Sequence, residues 1–352
     1  MPIPDMQRLK ANDPDGMLGH VMAFHEHLKE ADATARETLE GLRLERPSAV
    51  VVAGMGGSAI AADLVRGAFA DALRAPMLVS RGYALPAFVG PDTLVVASSY
   101  SGNTEETLAA HAEARERGAR IVCMTTGGRL GELADGAEPV VPLRPGLPPR
   151  ASLGFGLVSL IHVLSAAGLI DDPEDETRGA VRAAVAATGR FGPDSDGDDN
   201  EAWDIATWFA DGVPVIYGAE PATTAAATRW VGQLSENAKT IGHAGTLPEM
   251  NHNEIVGYGD EDALGGSPRV VFLRDRRDHE RIATRVRITA TALRERGVET
   301  RVLESSGTTR LARVVSLVLA GDYVSVYLAA LRGVDPTPVK AIDRLKRALT
   351  DA

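Results

Sequence analysis

Residues 50–64, with the sequence VVVAGMGGSAIAADL, constrain the fold of this chain more than any other segment. The three valines are typical of a strand buried on both faces, and the alanine-rich run after Ser58 favours a helix. Gly54, Gly56 and Gly57 stand between them, and glycine lets the backbone turn tightly or approach a ligand closely. Because the first N–H groups of a helix bind anions, the segment suits a phosphate site as well as a plain strand-to-helix turn.

A second segment, residues 94–108, repeats this arrangement with the sequence LVVASSYSGNTEETL. An apolar strand again leads into a turn with a glycine, and two glutamates suit the first turn of the helix that follows. The turn carries four small hydroxyl side chains, which are Ser98, Ser99, Ser101 and Thr104. Neighbouring strands of an open parallel sheet end at one crevice, where such hydroxyls can bind phosphate oxygens. A serine-rich cap is the alternative, but the two segments together favour a phosphate site.

The two segments resemble a known family. GMGGSA at residues 54–59 and SSYSGNTEET at residues 98–107 are similar to the sugar isomerase (SIS) domain, which binds phosphosugars. The resemblance implies an α/β fold with a phosphosugar site where these two strands end.

Strands alternate with helices in two series along the chain, which indicates parallel sheets in a doubly wound α/β fold. The apolar runs place strands at residues 49–53, 76–80, 93–97, 120–124 and 139–142, and again at 213–218, 269–273 and 300–303. We predict two SIS-type, flavodoxin-like subdomains with flanking helices. Residues 1–150 form the phosphate-binding subdomain, residues 151–200 a helical connector, and residues 201–352 the subdomain with the catalytic residues and C-terminal helices. A single helix is predicted over residues 19–44, with His25 and His27 on its surface.

The composition narrows the classes of partner. The chain has 352 residues and a formal net charge of −11, which argues against non-specific nucleic-acid binding and against docking on anionic membranes. We expect no apolar stretch of the ~18–20 residues that span a membrane, and no signal peptide. The single cysteine, Cys123, lies in an apolar run and is expected to be a buried hydrophobic residue, not a catalytic thiol. A chain without disulfides suits the reducing cytoplasm.

The densest polar cluster covers residues 235–257, with the sequence SENAKTIGHAGTLPEMNHNEIVG. Glu236 near the end of a helix and His252 in a loop form a candidate acid–base pair. A metal site is the alternative, with His243, Glu249, His252 and Glu254 as ligands. No histidine pair at helical spacing, no HExxH and no cysteine support that alternative, so we predict no metal.

The same cluster narrows the resemblance. The patterns EN-K at residues 236–239 and PE-NHNE-G at residues 248–257 are similar to the bifunctional phosphoglucose/phosphomannose isomerases, as are PRASLG at residues 149–154 and the ending DPTPV-AID-LK. The similarity runs from about residue 15 to 349. It implies an isomerase that interconverts glucose 6-phosphate and mannose 6-phosphate with fructose 6-phosphate, through ring opening and a cis-enediolate, without a cofactor.

The resemblance also implies a role for each matching position. Glu236 is the base that moves a proton between C1 and C2, and Arg150 stabilises the enediolate. His252 opens the sugar ring from the partner subunit, which implies a homodimer. A lysine of the C-terminal helix completes ring opening, and Lys346 is preferred to Lys340 because it lies further into the helix. The implied phosphate-binding residues are Gly57, Ser58, Ser99, Ser101 and Thr104.

Two other functions stay open at the level of the sequence. SIS domains also occur in non-catalytic phosphosugar sensors, although these usually add a basic DNA-binding segment that this acidic chain does not show. The other is an aminosugar-phosphate isomerase or deaminase. The synthase of glucosamine 6-phosphate needs a cysteine nucleophile near its N-terminus, whereas Cys123 lies in the middle of the chain.

Overall fold

The computed structural model describes residues 6–195, 200–259 and 267–350. In these ranges the chain forms two sheets of parallel strands flanked by helices, which confirms the predicted α/β fold class. The strands of the first sheet are β1 (Ala49–Gly54), β2 (Met77–Ser80), β3 (Thr93–Ser99), β4 (Arg120–Thr125) and β5 (Val140–Pro142). The strands of the second sheet are β6 (Val213–Ala219), β7 (His243–Leu247), β8 (Pro268–Arg274) and β9 (Glu299–Glu304).

Helices cover the sheets and fill the space between them. The helices up to residue 191 are α1 (Met6–Asn12), α2 (Met17–Met22), α3 (Phe24–Leu39), α4 (Gly56–Ala68), α5 (Glu105–Glu116), α6 (Gly128–Ala134), α7 (Leu153–Ala166) and α8 (Glu174–Phe191). The later helices are α9 (Glu201–Ala210), α10 (Thr224–Ala238), α11 (Glu280–Arg294), α12 (Arg310–Arg332) and α13 (Lys340–Thr350).

The strand order brings the two glycine-containing segments together. The first sheet has the order β2-β1-β3-β4-β5, and the second has β7-β6-β8-β9. In the first sheet the winding reverses between β1 and β3, and ligands of open parallel sheets bind outside the carboxyl ends of the strands at such a point. Gly54 at the end of β1 is in register with Ser98 near the end of β3. The turns that follow these strands therefore lie side by side.

The valine runs are buried on both faces, as the sequence predicted. Val50 and Val52 of β1 belong to the larger hydrophobic core, whereas Val51 and Ala53 face a smaller core between the sheet and α5. Because all residues of β1 and β3 are buried, these strands show continuous apolar runs and not the alternation of a half-exposed strand.

Helix α12 is the central element of the larger core. It is buried from Leu311 to Ala330 except at Arg313, and it packs against α8, α9 and α10. Trp230 of α10 lies against Gly321 of α12 and donates its indole N–H to the Leu317 carbonyl at 2.8 Å. Because Gly321 has no Cβ, the two helices approach closely, and this contact positions the end of α10.

Two helical segments are long and apolar enough to cross a membrane by length and composition, so the expectation that no stretch reaches this length was wrong. They are Pro149–Ala166 and Arg310–Arg332. In the most apolar 18 residues of each segment, 78% of the residues of the first and 94% of those of the second are buried inside the protein. A helix that is hydrophobic all round belongs either in a membrane or in the core of a large protein, and the burial of these two favours the core.

The N-terminal region differs from the prediction of one helix over residues 19–44. The helix is divided at Ala23 into α2 and α3, and α3 ends at Leu39. His27 is buried, with its ring centroid 5.5 Å from that of Phe155, so its prediction as a surface residue was wrong. The reason is its spacing, because residues three and four apart share a helix face and His27 follows Phe24 by three positions.

We predict that Gly321→Ala lowers the free energy of unfolding by about 1–3 kcal/mol, because an added methyl group meets the indole ring of the buried Trp230. Urea denaturation measures this change. The matched control is Gly232→Ala on α10, where an added Cβ meets nothing within 4 Å. That substitution should stabilise the helix by up to about 1 kcal/mol. Equal stability of the two variants would contradict the close approach of α10 and α12.

Candidate active site

The predicted phosphate-binding residues surround the ends of β1 and β3. Gly57 and Ser58 lie in the first turn of α4, directly after β1. A Cβ built on Gly54 would stand 2.8 Å from the Ser98 carbonyl oxygen and 3.1 Å from the Ser58 Cβ, so the chain needs glycine there. The first turn of α4 therefore opens beside the end of β3, where helix N–H groups can bind an anion.

The hydroxyls of the second turn are not equivalent. Ser99 is buried, and its Oγ lies 2.9 Å from the Thr104 Oγ1 and accepts the Gly102 N–H at 3.1 Å. Ser101 is exposed, and its Oγ accepts the Asn103 N–H at 3.2 Å. Ser99 thus holds the turn together, whereas Ser101 and the partly exposed Thr104 are reachable from solvent. We refer to Gly57, Ser58, Ser99, Ser101 and Thr104 as the glycine–serine cradle.

The segment that carries Arg150 lies directly on this cradle. A Cβ built on Gly57 would be 3.0 Å from the Pro149 carbonyl oxygen and 3.8 Å from the Arg150 Cα. The missing side chain of Gly57 therefore leaves room for the neighbouring chain at Pro149 and Arg150.

Arg150 is buried and has protein partners on every side of its guanidinium group. Its Nε donates to the Asn237 Oδ1 at 2.7 Å, and its Nη2 donates to the carbonyls of Pro336 and Thr337 at 2.6 and 2.9 Å. Its Nη1 lies 3.5 Å from the Glu236 Oε2. Burial lowers the pKa of Arg150 and the Glu236 carboxylate opposes this, but an arginine stays charged at any relevant pH.

Glu236 lies in the last turn of α10 and faces Arg150 with a carboxylate that is 34% exposed. A carboxylate that is both reachable and beside a fixed cation can take a proton from a bound molecule while the cation stabilises the negative charge left behind. The structure thus brings Glu236, Arg150 and the glycine–serine cradle to one place.

Lys239 belongs to the same site, although the sequence assigned it no role. It ends α10 with a φ of +53°, a left-handed conformation that is rare for a residue with a side chain. Its Nζ donates to the carbonyls of Glu236 at 2.5 Å, of Pro338 at 2.9 Å and of Pro336 at 3.3 Å. Burial and the nearby Arg150 lower the pKa of Lys239. The EN-K pattern marked this position, but nothing local in the sequence indicates that its amine binds residues 336–338.

The two C-terminal lysines lie on α13. Lys340 and Lys346 are both exposed, as are all described side chains of this helix. Residues 336 and 337, which precede α13, are bound by Arg150, and through them the helix is connected to the site. The choice of Lys346 over Lys340 stays a prediction.

His252 and Glu236 lie on either side of β7 in the chain. Helix α10 leaves the carboxyl end of β6 and returns to the start of β7, so Glu236 lies near the amino ends of the strands. His252 follows β7, and Glu254, two residues further on, comes back to within 2.8 Å of His243 at the start of that strand. No hydrogen bond or ion pair joins Glu236 to His252 among the residues that the structure describes.

The residues around His252 hold its turn in place. Asn251 donates to the Thr289 Oγ1 at 2.9 Å, and Glu254 accepts from the Tyr217 hydroxyl at 2.7 Å and lies 2.8 Å from the His243 Nε2. His252 itself is exposed. The NHNE pattern thus presents one histidine to solvent on a turn fixed by its neighbours.

The alternative metal site has no support in the structure. In the described ranges, one group of three or more histidine, cysteine or carboxylate side chains is close enough to hold an ion. This group contains none of the residues His243, Glu249, His252 and Glu254.

Cys123 is a buried thiol, as predicted. It is fully buried on β4, and burial raises its pKa to about 12, which makes it a poor nucleophile at neutral pH.

Comparison with known proteins agrees with this fold. The SIS domain matches residues 44–137, and the bacterial phospho-glucose isomerase C-terminal SIS domain matches residues 198–349. A bifunctional phosphoglucose/phosphomannose isomerase of Caldicellulosiruptor bescii is 40% identical over 339 residues, which cover 95% of this chain and 99% of that protein. Another from Aquifex aeolicus is 37% identical over 308 residues, or 85% of this chain and 90% of that protein. The solved structure of a glucose-6-phosphate isomerase like protein from Thermus thermophilus shares the fold, with a TM-score of 0.64, 20% identity and 99% of each chain covered.

The two domain matches and the paired parallel sheets define an α/β protein of the SIS type. The sequence relatives then identify the group within it. The chain belongs to the family of bifunctional phosphoglucose/phosphomannose isomerases and is an isomerase.

We predict that Lys239 positions Glu236 through its amine and not only through its backbone. Lys239→Gly keeps the left-handed conformation without strain and removes the amine, and Lys239→Met removes the amine but keeps the chain length. Both should lower kcat by about tenfold or more, since small displacements of a catalytic group are costly. KM should change little if the cradle is intact. Steady-state kinetics on fructose 6-phosphate measure both constants.

Lys29→Met, an exposed lysine on α3, is the control and should behave as wild type. A wild-type kcat in Lys239→Gly would show that only the backbone conformation of Lys239 matters.

Proposed function

We propose that this isomerase interconverts glucose 6-phosphate and mannose 6-phosphate with fructose 6-phosphate, as the names of its relatives indicate for those proteins. The observation that carries the proposal is the pair of a buried Arg150 and a partly exposed Glu236, 3.5 Å apart, beside the glycine–serine cradle. The chain is acidic, with a net charge of −11, so a phosphosugar is attracted by local groups and not by the overall field.

The cradle holds the phosphate at the first turns of α4 and α5. Ser58, Ser101 and Thr104 supply hydroxyls that are at least partly accessible, and Gly57 lets the anion approach the backbone. Ser99 contributes by fixing the turn and the Thr104 hydroxyl. Neutral hydroxyls and helix dipoles bind a dianion without adding a cation that would compete with Arg150.

The proton transfer takes place between Glu236 and Arg150. In the open-chain aldose, the Glu236 carboxylate removes the proton on C2, next to the carbonyl carbon C1. The electron pair moves onto the carbonyl oxygen and gives a cis-enediolate, whose charge the Arg150 guanidinium stabilises. The hydroxyl proton passes from the C2 oxygen to the neighbouring C1 oxygen, Glu236 returns its own proton to C1, and the C2 oxygen becomes the carbonyl oxygen of the ketose. Rotation of the open intermediate about C2–C3 accounts for the acceptance of both configurations at C2.

Ring opening needs further groups besides Glu236 and Arg150. A proton must reach the ring oxygen while another leaves the anomeric hydroxyl. We assign these steps to His252 of the partner subunit and to Lys346, in a homodimer. The exposure of His252, and the lack of any hydrogen bond or ion pair between it and Glu236 in the described part of the chain, support this assignment. A single, buried cysteine suits the cytoplasm as the location of the dimer.

We predict that Glu236→Gln lowers kcat by about 10²–10⁴-fold, the usual contribution of a catalytic base, and leaves phosphosugar affinity within a few-fold of wild type. A coupled assay with fructose 6-phosphate measures turnover, and calorimetry measures binding. Glu116→Gln, an exposed glutamate at the end of α5, is the control. Wild-type turnover in Glu236→Gln would contradict the assigned mechanism.

The same assays separate the proposal from its alternatives. A phosphosugar sensor binds fructose 6-phosphate tightly and forms no glucose 6-phosphate or mannose 6-phosphate. A deaminase releases ammonia from glucosamine 6-phosphate. Either result in the wild-type protein would replace the proposed activity.

We predict that two inactive variants, Glu236→Gln and His252→Ala, restore activity when they are unfolded together and refolded as a mixture. A mixed dimer then has one site with an intact Glu236 and an intact histidine from the partner subunit. Random pairing should give about a quarter of the wild-type specific activity. Each variant refolded alone is the control. No gain on mixing, with mixed dimers shown by differently tagged chains, would place both residues in one subunit.

A further inference from the structure

A second cluster of reactive side chains lies in the smaller core of the first sheet, away from the candidate active site. It consists of His111 on α5, Cys123 on β4 and Glu138 between α6 and β5. His111 and Cys123 are fully buried, and the Glu138 side chain is only 10% exposed. One ligand atom from each residue lies within 4.8 Å of the other two. Three groups of this kind rarely meet in a core without a reason, because buried polar groups are costly.

Two of the three distances are close to those around a small metal ion, and the third, between His111 and Cys123, is within 4.8 Å. The Cys123 Sγ is 3.8 Å from the Glu138 Oε2, and the His111 Nε2 is 2.7 Å from the same oxygen. Zinc bonds of about 2.0–2.3 Å in a tetrahedron set their donor atoms about 3.3–3.8 Å apart. The His111–Glu138 distance therefore has to grow by less than about 1 Å, and the Cys123–Glu138 distance already fits.

The choice of donors selects the ion. A sulfur ligand together with an imidazole and a carboxylate oxygen suits Zn²⁺, whereas Mg²⁺ and Ca²⁺ prefer oxygen alone. A thiolate and a carboxylate also balance the two charges of the ion. Arg115 lies on the other oxygen of the carboxylate, with its Nε 3.2 Å from the Glu138 Oε1. This contact leaves Oε2 facing His111 and Cys123 and orients it as outer contacts orient metal ligands.

The ion would be held by the His111 Nε2, which faces the Glu138 Oε2. The other ring nitrogen, Nδ1, is buried and has no hydrogen-bond partner in the part of the chain that the structure describes. A histidine that binds a metal usually donates this second N–H to a neighbouring group, and here a buried water would have to be that group.

We propose that His111, Cys123 and Glu138 bind one Zn²⁺ ion at a structural site. The three ligands come from α5, β4 and the segment before β5, so the ion would connect these elements on one side of the first sheet. Helix α5 begins directly after Thr104 of the glycine–serine cradle. The ion would therefore stabilise the element that carries part of the phosphate site without touching a substrate.

The test uses the whole chain, freed of metal with a chelator and then titrated with Zn²⁺ against a chromophoric chelator. We expect one tightly bound Zn²⁺ per chain. Replacement by Co²⁺ should give a near-ultraviolet thiolate-to-cobalt charge-transfer band, and Zn²⁺ should raise the melting temperature in proportion to its binding. Cys123→Ser should abolish the band and weaken Zn²⁺ binding by about 100-fold or more, and Glu138→Gln should weaken binding similarly.

Two variants serve as controls. His25→Gln removes a partly exposed histidine on α3 that lies 3.9 Å from Glu26, and it should bind Zn²⁺ as wild type does. His252→Ala should do the same, because the site does not include the loop after β7. If Cys123→Ser does not fold, Cys123→Ala, which keeps a small apolar side chain, takes its place. The proposal is overturned if the wild type binds no Zn²⁺ in this titration, if the cysteine variant binds it as tightly, or if His252→Ala is the variant that loses it.

Discussion

The buried guanidinium group of Arg150 is the interaction on which the candidate site depends. A cation removed from water costs several kcal/mol unless hydrogen bonds and an opposite charge replace its hydration. Here the replacements come from distant parts of the chain, namely Asn237 and Glu236 at the end of α10 and the carbonyls of residues 336 and 337. The end of α10 and the segment before α13 must therefore both be in place for the buried Arg150 to be stable.

A second buried pair lies directly behind the first and connects it to the core. Arg229 of α10 donates to the Arg150 carbonyl at 2.9 Å and forms an ion pair with Asp322 of α12 at 3.0 Å. Burial raises the pKa of Asp322, and the Arg229 charge opposes that shift. Ser325, three residues further along α12, accepts from the Asn237 amide at 2.9 Å. Residues 322 and 325 share a face of the helix, so two polar side chains of a largely apolar helix support the site.

Features that depend on residues close together in the chain could be predicted from the sequence, whereas features that depend on distant contacts could not. The strands β1 and β3 were predictable because both of their faces are buried and their runs are apolar throughout. The edge strand β7 was not predictable, because its sequence HAGTL mixes polar and small residues and only its pairing with β6 makes it a strand.

Helix α9 follows an acidic stretch, and its start depends on the buried Asn200, whose side chain accepts the Trp203 N–H. Glu236 and Arg150 stood out by motif, but the role of Lys239 arises from contacts with residues about 97–99 positions away, which no local pattern encodes.

The arrangement of α4 and α10 places a helix N-terminus, which suits an anion, beside the buried cation of Arg150. The start of α4 lies against Arg150, which binds Asn237 near the end of α10, whereas Gly67 near the end of α4 lies against Pro221 just before α10 begins. The two helices are therefore antiparallel, and the positive end of one dipole lies beside the negative end of the other. The positive end of α4 faces the cradle, where a phosphate would bind. The negative end of α10 stabilises the positive charges of Arg150 and Lys239. The Glu236 carboxylate is repelled by the same helix end, and the two cations offset that repulsion. One pair of packed helices thus provides both electrostatic environments that the proposed reaction needs.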